Sequence, residues 1–166
     1  MIDSHAHITE ERLLPESGRI IADMHSDGLT ALIEAGCDAA TSAQAAKLAE
    51  DNEGVFAIVG THPEFAADYG DDEAALYARL SAMPKVVGIG EIGLDYYYET
   101  PPRDIQKRAF AAQLELAHSL HMPVALHIRD AYGDLADILK EHPSWVADGM
   151  LMHFYSGRAE VVKQLA

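Results

Sequence analysis

Short apolar runs alternate with longer amphipathic segments along the whole chain, and this alternation restricts the fold more than any other feature. The apolar runs predict strands at 2–8, 29–35, 55–61, 86–91, 124–128 and 150–153. The segments between them predict helices at 17–27, 42–52, 71–83, 103–121 and 131–141, with a sixth beginning near Arg158. The run at 29–35 also fits a continuation of the helix before it, but Gly28 and the regular spacing of the other units favour a strand. Strands that alternate with helices predict βαβ units and one parallel sheet.

The number of units predicts an α/β fold of the (β/α)-barrel type. A complete eight-unit barrel typically takes about 250 residues, whereas this chain has 166. Because no linker or change of composition divides the chain, we expect a single barrel domain over residues 1–166 with about six of eight βα units. Residues 161–166 continue a helical pattern without a cap, so we expect the barrel to be incomplete at its C-terminus.

The charge of the chain limits how it could bind a nucleic acid. Twelve Lys and Arg against 27 Asp and Glu give a formal charge of −15, a field that repels polyanions at long range. This balance counts against binding of duplex DNA through a basic surface. If a nucleic acid is the substrate, bound cations and a few basic side chains at a cleft must attract it.

The same sequence gives expectations about location. Its first ten residues are polar and contain two histidines, unlike a secretory signal, and no run approaches the roughly 18 apolar residues that cross a membrane. We therefore expect a cytoplasmic protein with no membrane contact. The single Cys37 is expected to be a reduced structural thiol.

Histidines and one glutamate occur at or near the carboxyl ends of the predicted strands, where the active sites of α/β barrels are built. Each has an ordinary alternative taken alone: a hydrogen-bonded pair, a salt-bridged strand end, or a histidine of the core or rim. Together they favour a divalent cation such as Zn²⁺ or Mn²⁺, and a carboxylate can bridge two such ions. The set comprises His5, His7, Glu91, His127 and His153.

Five sequence blocks resemble, in order and spacing, the signature blocks of the TatD family. They are IDSHAH at 2–7, GTHP at 60–63, GIGEIGLDY at 88–96, HIRDA at 127–131 and MHFYSG at 152–157. The resemblance covers the whole chain. It implies a TIM-like barrel of the metallo-dependent hydrolase type and a hydrolase that uses Mg²⁺, Mn²⁺ or Zn²⁺, usually described as a Mg²⁺-dependent DNase.

The resemblance also implies roles for individual residues. His5 and His7 would bind one metal ion, His127 and His153 a second, and Glu91 would bridge the two and position them for catalysis. His62 would contact the substrate's phosphate or the attacking water.

Two further residues are predicted to bind substrate. Arg129 is predicted to bind phosphate, because its planar fork matches phosphate oxygens; the alternative is an ion pair with a nearby acidic side chain. Tyr96, with Asp95, Tyr97 and Tyr98, is predicted to line the mouth of the site, where tyrosines can stack on bases or simply pack the loop.

We therefore expect hydrolysis of a phosphodiester at a single-stranded DNA end, with two metal ions that activate a water molecule, and no stable protein partner. Two alternatives remain open: another ester or amide as substrate on the same scaffold, and an inactive truncated fragment. Related amidohydrolases use a modified lysine as the bridge, and Glu91 favours the TatD side. The TatD family carries a further Asp ligand on its eighth strand, and no block of this sequence matches it.

Overall fold

The computed structural model describes residues 1–98 and 100–157. Within these residues six strands form one parallel sheet in sequential order, β1 to β6. The strands are β1 Ile2–Ala6, β2 Ala31–Ala35, β3 Val55–Val59, β4 Val86–Asp95, β5 Val124–Arg129 and β6 Met150–Met152. The α-helices are α1 Ser17–Asp23, α2 Ala39–Asp51, α3 Asp71–Leu80, α4 Arg103–Ser119 and α5 Tyr132–Glu141. Short 3₁₀ turns lie at Leu14–Glu16, Pro63–Phe65 and Pro143–Val146.

This arrangement is the predicted (β/α) barrel of TIM type, and the described residues supply six strands of it. Each strand pairs with the next one in sequence after a helical crossover, as in a barrel. The sheet curls strongly. Its curvature is seen in the rings of His5 on β1 and His153 beyond β6, which stack with centroids 3.9 Å apart. Side chains of the two outermost strands of the described sheet thus meet at its carboxyl end.

The two faces of the sheet carry different apolar clusters, because side chains alternate along a strand. The larger cluster includes Tyr77, Phe110 and Leu135 from the helices, packed on the outer face of the strands. A smaller cluster of Ala35, Ile58 and Ala125 occupies the opposite, inner face. His127, two residues beyond Ala125 on β5, shares that inner face. None of the described helices is long and apolar enough to cross a membrane.

Several element ends differ from the predicted ones. β1 stops at Ala6 instead of residue 8, because the Glu34 carboxylate accepts hydrogen bonds from the backbone nitrogens of Ile8 (2.9 Å) and Thr9 (2.8 Å). β2 begins at Ala31 and β3 ends at Val59, each two residues inside the prediction. The sixth predicted helix, near Arg158, lies outside the described residues.

The ends of several helices also differ from the predicted ones by two to four residues. α2 begins three residues early because Asp38 caps it, accepting a hydrogen bond from the backbone nitrogen of Thr41. An aspartate at this position supplies an acceptor for the free N–H groups of the first turn. α1, α3 and α4 end two to four residues before the predicted positions, at Asp23, Leu80 and Ser119.

β4 is four residues longer than predicted and ends at Asp95. Its second half pairs in register with β5, with Gly93 opposite His127 and Asp95 opposite Arg129. At Gly93 the two backbones lie so close that a Cβ atom would sit 1.9 Å from the His127 carbonyl oxygen, and its φ is +151°. Only glycine adopts this conformation readily.

We predict that Gly93→Ala destabilises the protein by more than about 3 kcal/mol, because it combines a backbone clash with an unfavourable φ. The measurement is urea denaturation followed by circular dichroism. The matched control is Gly133→Ala in α5, where no atom lies within 4 Å of the added Cβ and where alanine should stabilise the helix by about 0.5–1 kcal/mol. Equal midpoints for the two variants would contradict the close-approach explanation.

Candidate metal centre

The Glu91 carboxylate lies at the centre of a cluster of imidazoles. Glu91 is only 2 % exposed, and both of its oxygens face histidines. Oε2 lies 3.1 Å from Nε2 of His5 and 3.3 Å from Nε2 of His7. Oε1 lies 3.0 Å from Nδ1 of His127 and 3.1 Å from Nε2 of His153. The structure thus brings together all five residues predicted as metal ligands; their binding of metal stays a prediction.

Three parts of the sheet position these histidines. His5 lies in β1 and His7 just beyond it, and the two Nε2 atoms are 3.1 Å apart. His127 lies within β5, and His153 directly follows β6. Because the carboxyl ends of parallel strands share one edge of the sheet, residues up to 148 positions apart meet at Glu91.

Backbone contacts fix the orientation of His7. Its Nδ1 lies 3.1 Å from the Ala35 carbonyl oxygen, which can only accept a hydrogen bond, so Nδ1 carries the proton as donor. The Nε2 atom is then directed at Glu91, as expected for a ligand held by a hydrogen bond behind it. The fully buried Glu34 also binds the hydroxyl of Thr9 at 2.6 Å and so anchors the turn that follows His7. Sequence analysis missed Glu34, since nothing local in a strand predicts a partner 25 residues away.

Asp95 is a second buried carboxylate in the centre, in place of the predicted position at the mouth. It is 4 % exposed, and its Oδ2 lies 2.9 Å from Nε2 of His127. His127 therefore has a carboxylate on each ring nitrogen. Burial lowers the pKa of His127, but the hydrogen bonds to Glu91 and Asp95 outweigh it and raise the pKa.

His62 lies next to His127, with ring centroids 4.3 Å apart, and its ligand atoms group with those of Glu91 and His127. Its Nδ1 accepts a hydrogen bond from the backbone nitrogen of Glu64 at 3.3 Å. Burial lowers the pKa of His62 to about 4. His62 is therefore neutral at pH 7, with its proton on Nε2.

Cys37 lies on the other side of His7, with its Sγ 3.8 Å from Nδ1. The hydrogen bond to Cys37 and the contact with Glu91 both raise the pKa of His7, to about 11. Burial raises the pKa of the Cys37 thiol, so the thiol is neutral at pH 7. We therefore attribute the cationic form of His7 chiefly to the Glu91 carboxylate.

The predicted substrate-binding residues lie around this centre at different depths. Arg129, at the end of β5, stacks over Tyr97 with its guanidinium carbon 3.7 Å from the ring centroid. The hydroxyl of Tyr96 donates a hydrogen bond to Asp134, and the Arg103 guanidinium lies 4.3 Å from its ring centroid. These contacts agree with packing of the loop by Tyr96, and its binding of substrate stays a prediction.

The donor set of the centre fits a divalent metal ion. Burial raises the pKa of Glu91, but hydrogen bonds from His127, His5 and His7 hold it well below its usual range, so the carboxylate is charged. Glu91 belongs to every described triplet of ligand atoms that lie within 4.8 Å of one another; the triplets are His5–Glu91–His153, His7–Cys37–Glu91 and His62–Glu91–His127. Ligands at about 2.0–2.2 Å from one ion are separated by this order of distance.

The two ring nitrogens of His5 differ in their contacts. The buried Nδ1 of His5 has no hydrogen-bond partner among the described residues, and its Nε2 faces both His7 and Glu91. Four imidazoles thus place a ring nitrogen within 3.3 Å of a single carboxylate. Imidazole and carboxylate together suit Zn²⁺ and Mn²⁺.

A (β/α) barrel with histidines and a carboxylate gathered at the carboxyl end of its strands has the architecture of the metallo-dependent hydrolases. The family model described as TatD related DNase matches residues 2–166. The chain belongs to this family.

Individual relatives agree with that assignment. The chain is 35 % identical over 164 residues to the metal-dependent hydrolase YabD of Bacillus subtilis (strain 168), covering 99 % of this chain and 64 % of YabD. It is 34 % identical over 163 residues to the 3'-5' ssDNA/RNA exonuclease TatD of Erwinia billingiae (strain Eb661), covering 96 % of this chain and 61 % of that protein. The chain thus spans about 60 % of the length of these relatives.

Solved structures show the same fold. The TatD homologue YjjV from Escherichia coli K12 superposes with a TM-score of 0.91 at 26 % identity, covering 99 % of this chain and 64 % of that one. A hydrolase TatD family protein from Entamoeba histolytica gives a TM-score of 0.83 at 22 % identity, covering 99 % and 61 %.

We predict that metal binding releases a proton from His7. The Glu91 carboxylate raises the pKa of His7, so its imidazole is cationic in the metal-free protein, and a histidine must lose that proton to bind a metal ion. Titration with Zn²⁺ at pH 7 in two buffers of different ionisation enthalpy should give different apparent heats. His7→Gln should remove most of the difference, whereas His25→Gln, on an exposed histidine, should keep it. Equal heats in both buffers for the unaltered chain would contradict the prediction.

Proposed function

We propose that the chain is the metal-binding part of a hydrolase that cleaves phosphodiester bonds at single-stranded DNA ends. The observation that carries this proposal is the division of the histidines between the two oxygens of Glu91. His5 and His7 face Oε2, and His127 and His153 face Oε1. A buried carboxylate with two imidazoles on each oxygen is arranged to bridge two cations.

The residues would hold the cations in that division. His5 and His7 would bind one ion and His127 and His153 the other, with Glu91 between them. Asp95 would orient His127 through its second ring nitrogen, as outer carboxylates do for metal-bound histidines. Divalent cations in such a site polarise phosphoryl oxygens and lower the pKa of water.

Side chains around the cluster would handle the substrate. His62 is neutral, and with Nδ1 accepting from the Glu64 backbone it offers an Nε2–H donor to a phosphoryl oxygen or to the attacking water. Arg129 lies two residues beyond His127 and lines the same cavity. Its guanidinium can neutralise and orient a phosphate group.

The relatives support nucleic acid as the substrate class. Several of them, such as the TatD proteins of Erwinia billingiae and Pantoea vagans, are named as 3'-5' ssDNA/RNA exonucleases. The formal charge of −15 disfavours a broad duplex-binding surface and agrees with a substrate bound locally at a strand end.

We predict that Glu91→Gln abolishes the paired metal site. The amide keeps the shape of the side chain but lacks the charge that holds two cations, so metal content should fall from two equivalents to one or none. Metal-dependent cleavage of a 5′-labelled single-stranded oligonucleotide should fall on the order of 100-fold or more. Metal content is measured by mass spectrometry after equilibration with Mn²⁺ and desalting.

Two further variants make this test specific. Glu50→Gln, on an exposed residue of α2, removes the same charge away from the site and should leave metal content unchanged. Glu91→Asp keeps the charge and should retain more metal than Glu91→Gln. Two ions still bound to a folded Glu91→Gln chain would refute the bridging role. Cleavage of 4-nitrophenyl acetate in preference to the oligonucleotide would refute the phosphodiester substrate.

A further inference from the structure

Two tyrosine rings lie exposed next to the metal centre. Tyr97 is 58 % and Tyr98 is 50 % exposed, and their rings meet edge to face at 4.9 Å. They directly follow β4, whose last residue, Asp95, contacts His127. Contiguous apolar patches on a surface often mark binding sites.

The loop that carries these rings is held in place. The Asp95 carboxylate accepts a hydrogen bond from the backbone nitrogen of Tyr97 at 2.9 Å, and Tyr96 is anchored by Asp134. These contacts fix the backbone at Tyr97 and the ring of Tyr96. A rigid aromatic surface binds a flat ligand at a lower entropic cost than a mobile one.

Arg129 extends this surface toward the metal centre. Its guanidinium carbon lies 3.7 Å from the ring centroid of Tyr97 and 5.7 Å from that of Tyr98. Guanidinium and phenol planes together present a cationic and a π surface, the pair of groups on which nucleobases stack in single-strand binding proteins.

A cavity of about 410 Å³ joins Arg129 to the histidines of the centre. His127, His153 and Phe154 line it as well. Phe154 has a φ of +48°, a conformation that bulky residues rarely adopt. An aromatic ring is thus presented at the wall of the cavity that contains the candidate metal ligands.

We propose that Tyr97 and Arg129 form a stacking surface for one unpaired nucleobase, adjacent to the phosphate that the Glu91 cluster would hold. This inference rests on the proposed function and names the part of the substrate that the site recognises. A base paired and stacked within a duplex offers no free face, so the surface selects a single-stranded end. Stacking is tolerant of base identity, so we expect little sequence preference.

The test measures binding without cleavage. A fluorescent single-stranded decamer with phosphorothioate linkages is titrated with the chain in Mg²⁺ and followed by anisotropy. A second decamer carries abasic nucleotides at its terminal three positions. Tyr97→Ala should weaken binding of the normal decamer about tenfold and leave the abasic decamer unaffected, whereas Tyr97→Phe should bind both within about twofold of the unaltered chain.

The matched control for Arg129→Gln is Arg108→Gln, which removes an equal charge from the exposed ion pair with Asp104. Only Arg129→Gln should weaken binding. Equal losses for the normal and abasic decamers in Tyr97→Ala would show a structural role and overturn the stacking surface, as would an absence of binding by the unaltered chain. Metal content and cleavage of a phosphodiester decamer are measured in parallel. Loss of the stacking effect with cleavage intact would refute the stacking surface and leave the proposed function standing. Base-dependent binding without cleavage would support the stacking surface and refute the proposed hydrolysis.

Discussion

A buried, charged carboxylate that four imidazoles surround is the interaction on which the site depends. Taking a carboxylate such as Glu91 out of water is costly unless opposite charge or hydrogen bonds compensate. His5, His7, His127 and His153 supply those contacts at 3.0–3.3 Å. Because these histidines come from β1, β5 and the end of β6, the carboxylate also ties the outermost strands of the described sheet to its middle.

This arrangement requires the backbones of β4 and β5 to lie unusually close together. Gly93 lies opposite His127, where any side chain would meet the His127 carbonyl oxygen. The approach lets β4 continue past Glu91 to Asp95, so that one strand presents two carboxylates to one imidazole. Glu34 makes a comparable contribution on the other side, since its hydrogen bonds end β1 and direct His7 inward. Gly93 and Glu34 therefore position the centre through their contacts with the backbone.

The sequence predicted the order of strands and the residues that meet at Glu91, because both follow from local patterns and from the shared edge of parallel strands. It did not predict the extent of β4. Ile92-Gly93-Leu94-Asp95 follows a strand end and contains a glycine, so locally it resembles a turn, and only pairing with β5 keeps it extended. The placement of Asp95, Cys37 and Glu34 likewise depends on partners far along the chain. Tyr96 is predicted to line the mouth of the site. The hydrogen bond from its hydroxyl to Asp134 on α5 could not be predicted from the residues next to it in sequence.

The acidic balance of the chain explains why the aromatic surface and the metal centre belong together. A protein of charge −15 gains nothing from long-range attraction to a polyanion, so the free energy of binding must arise within a few ångströms of the ligand. Cations at Glu91 and the guanidinium of Arg129 would supply local positive charge, and Tyr97 would supply a contact that does not depend on charge. In the proposed function, such a site would bind a nucleic acid only where a phosphate and a free base face can be reached together. That condition is met at an unpaired end and is not met along the continuous stack of a duplex.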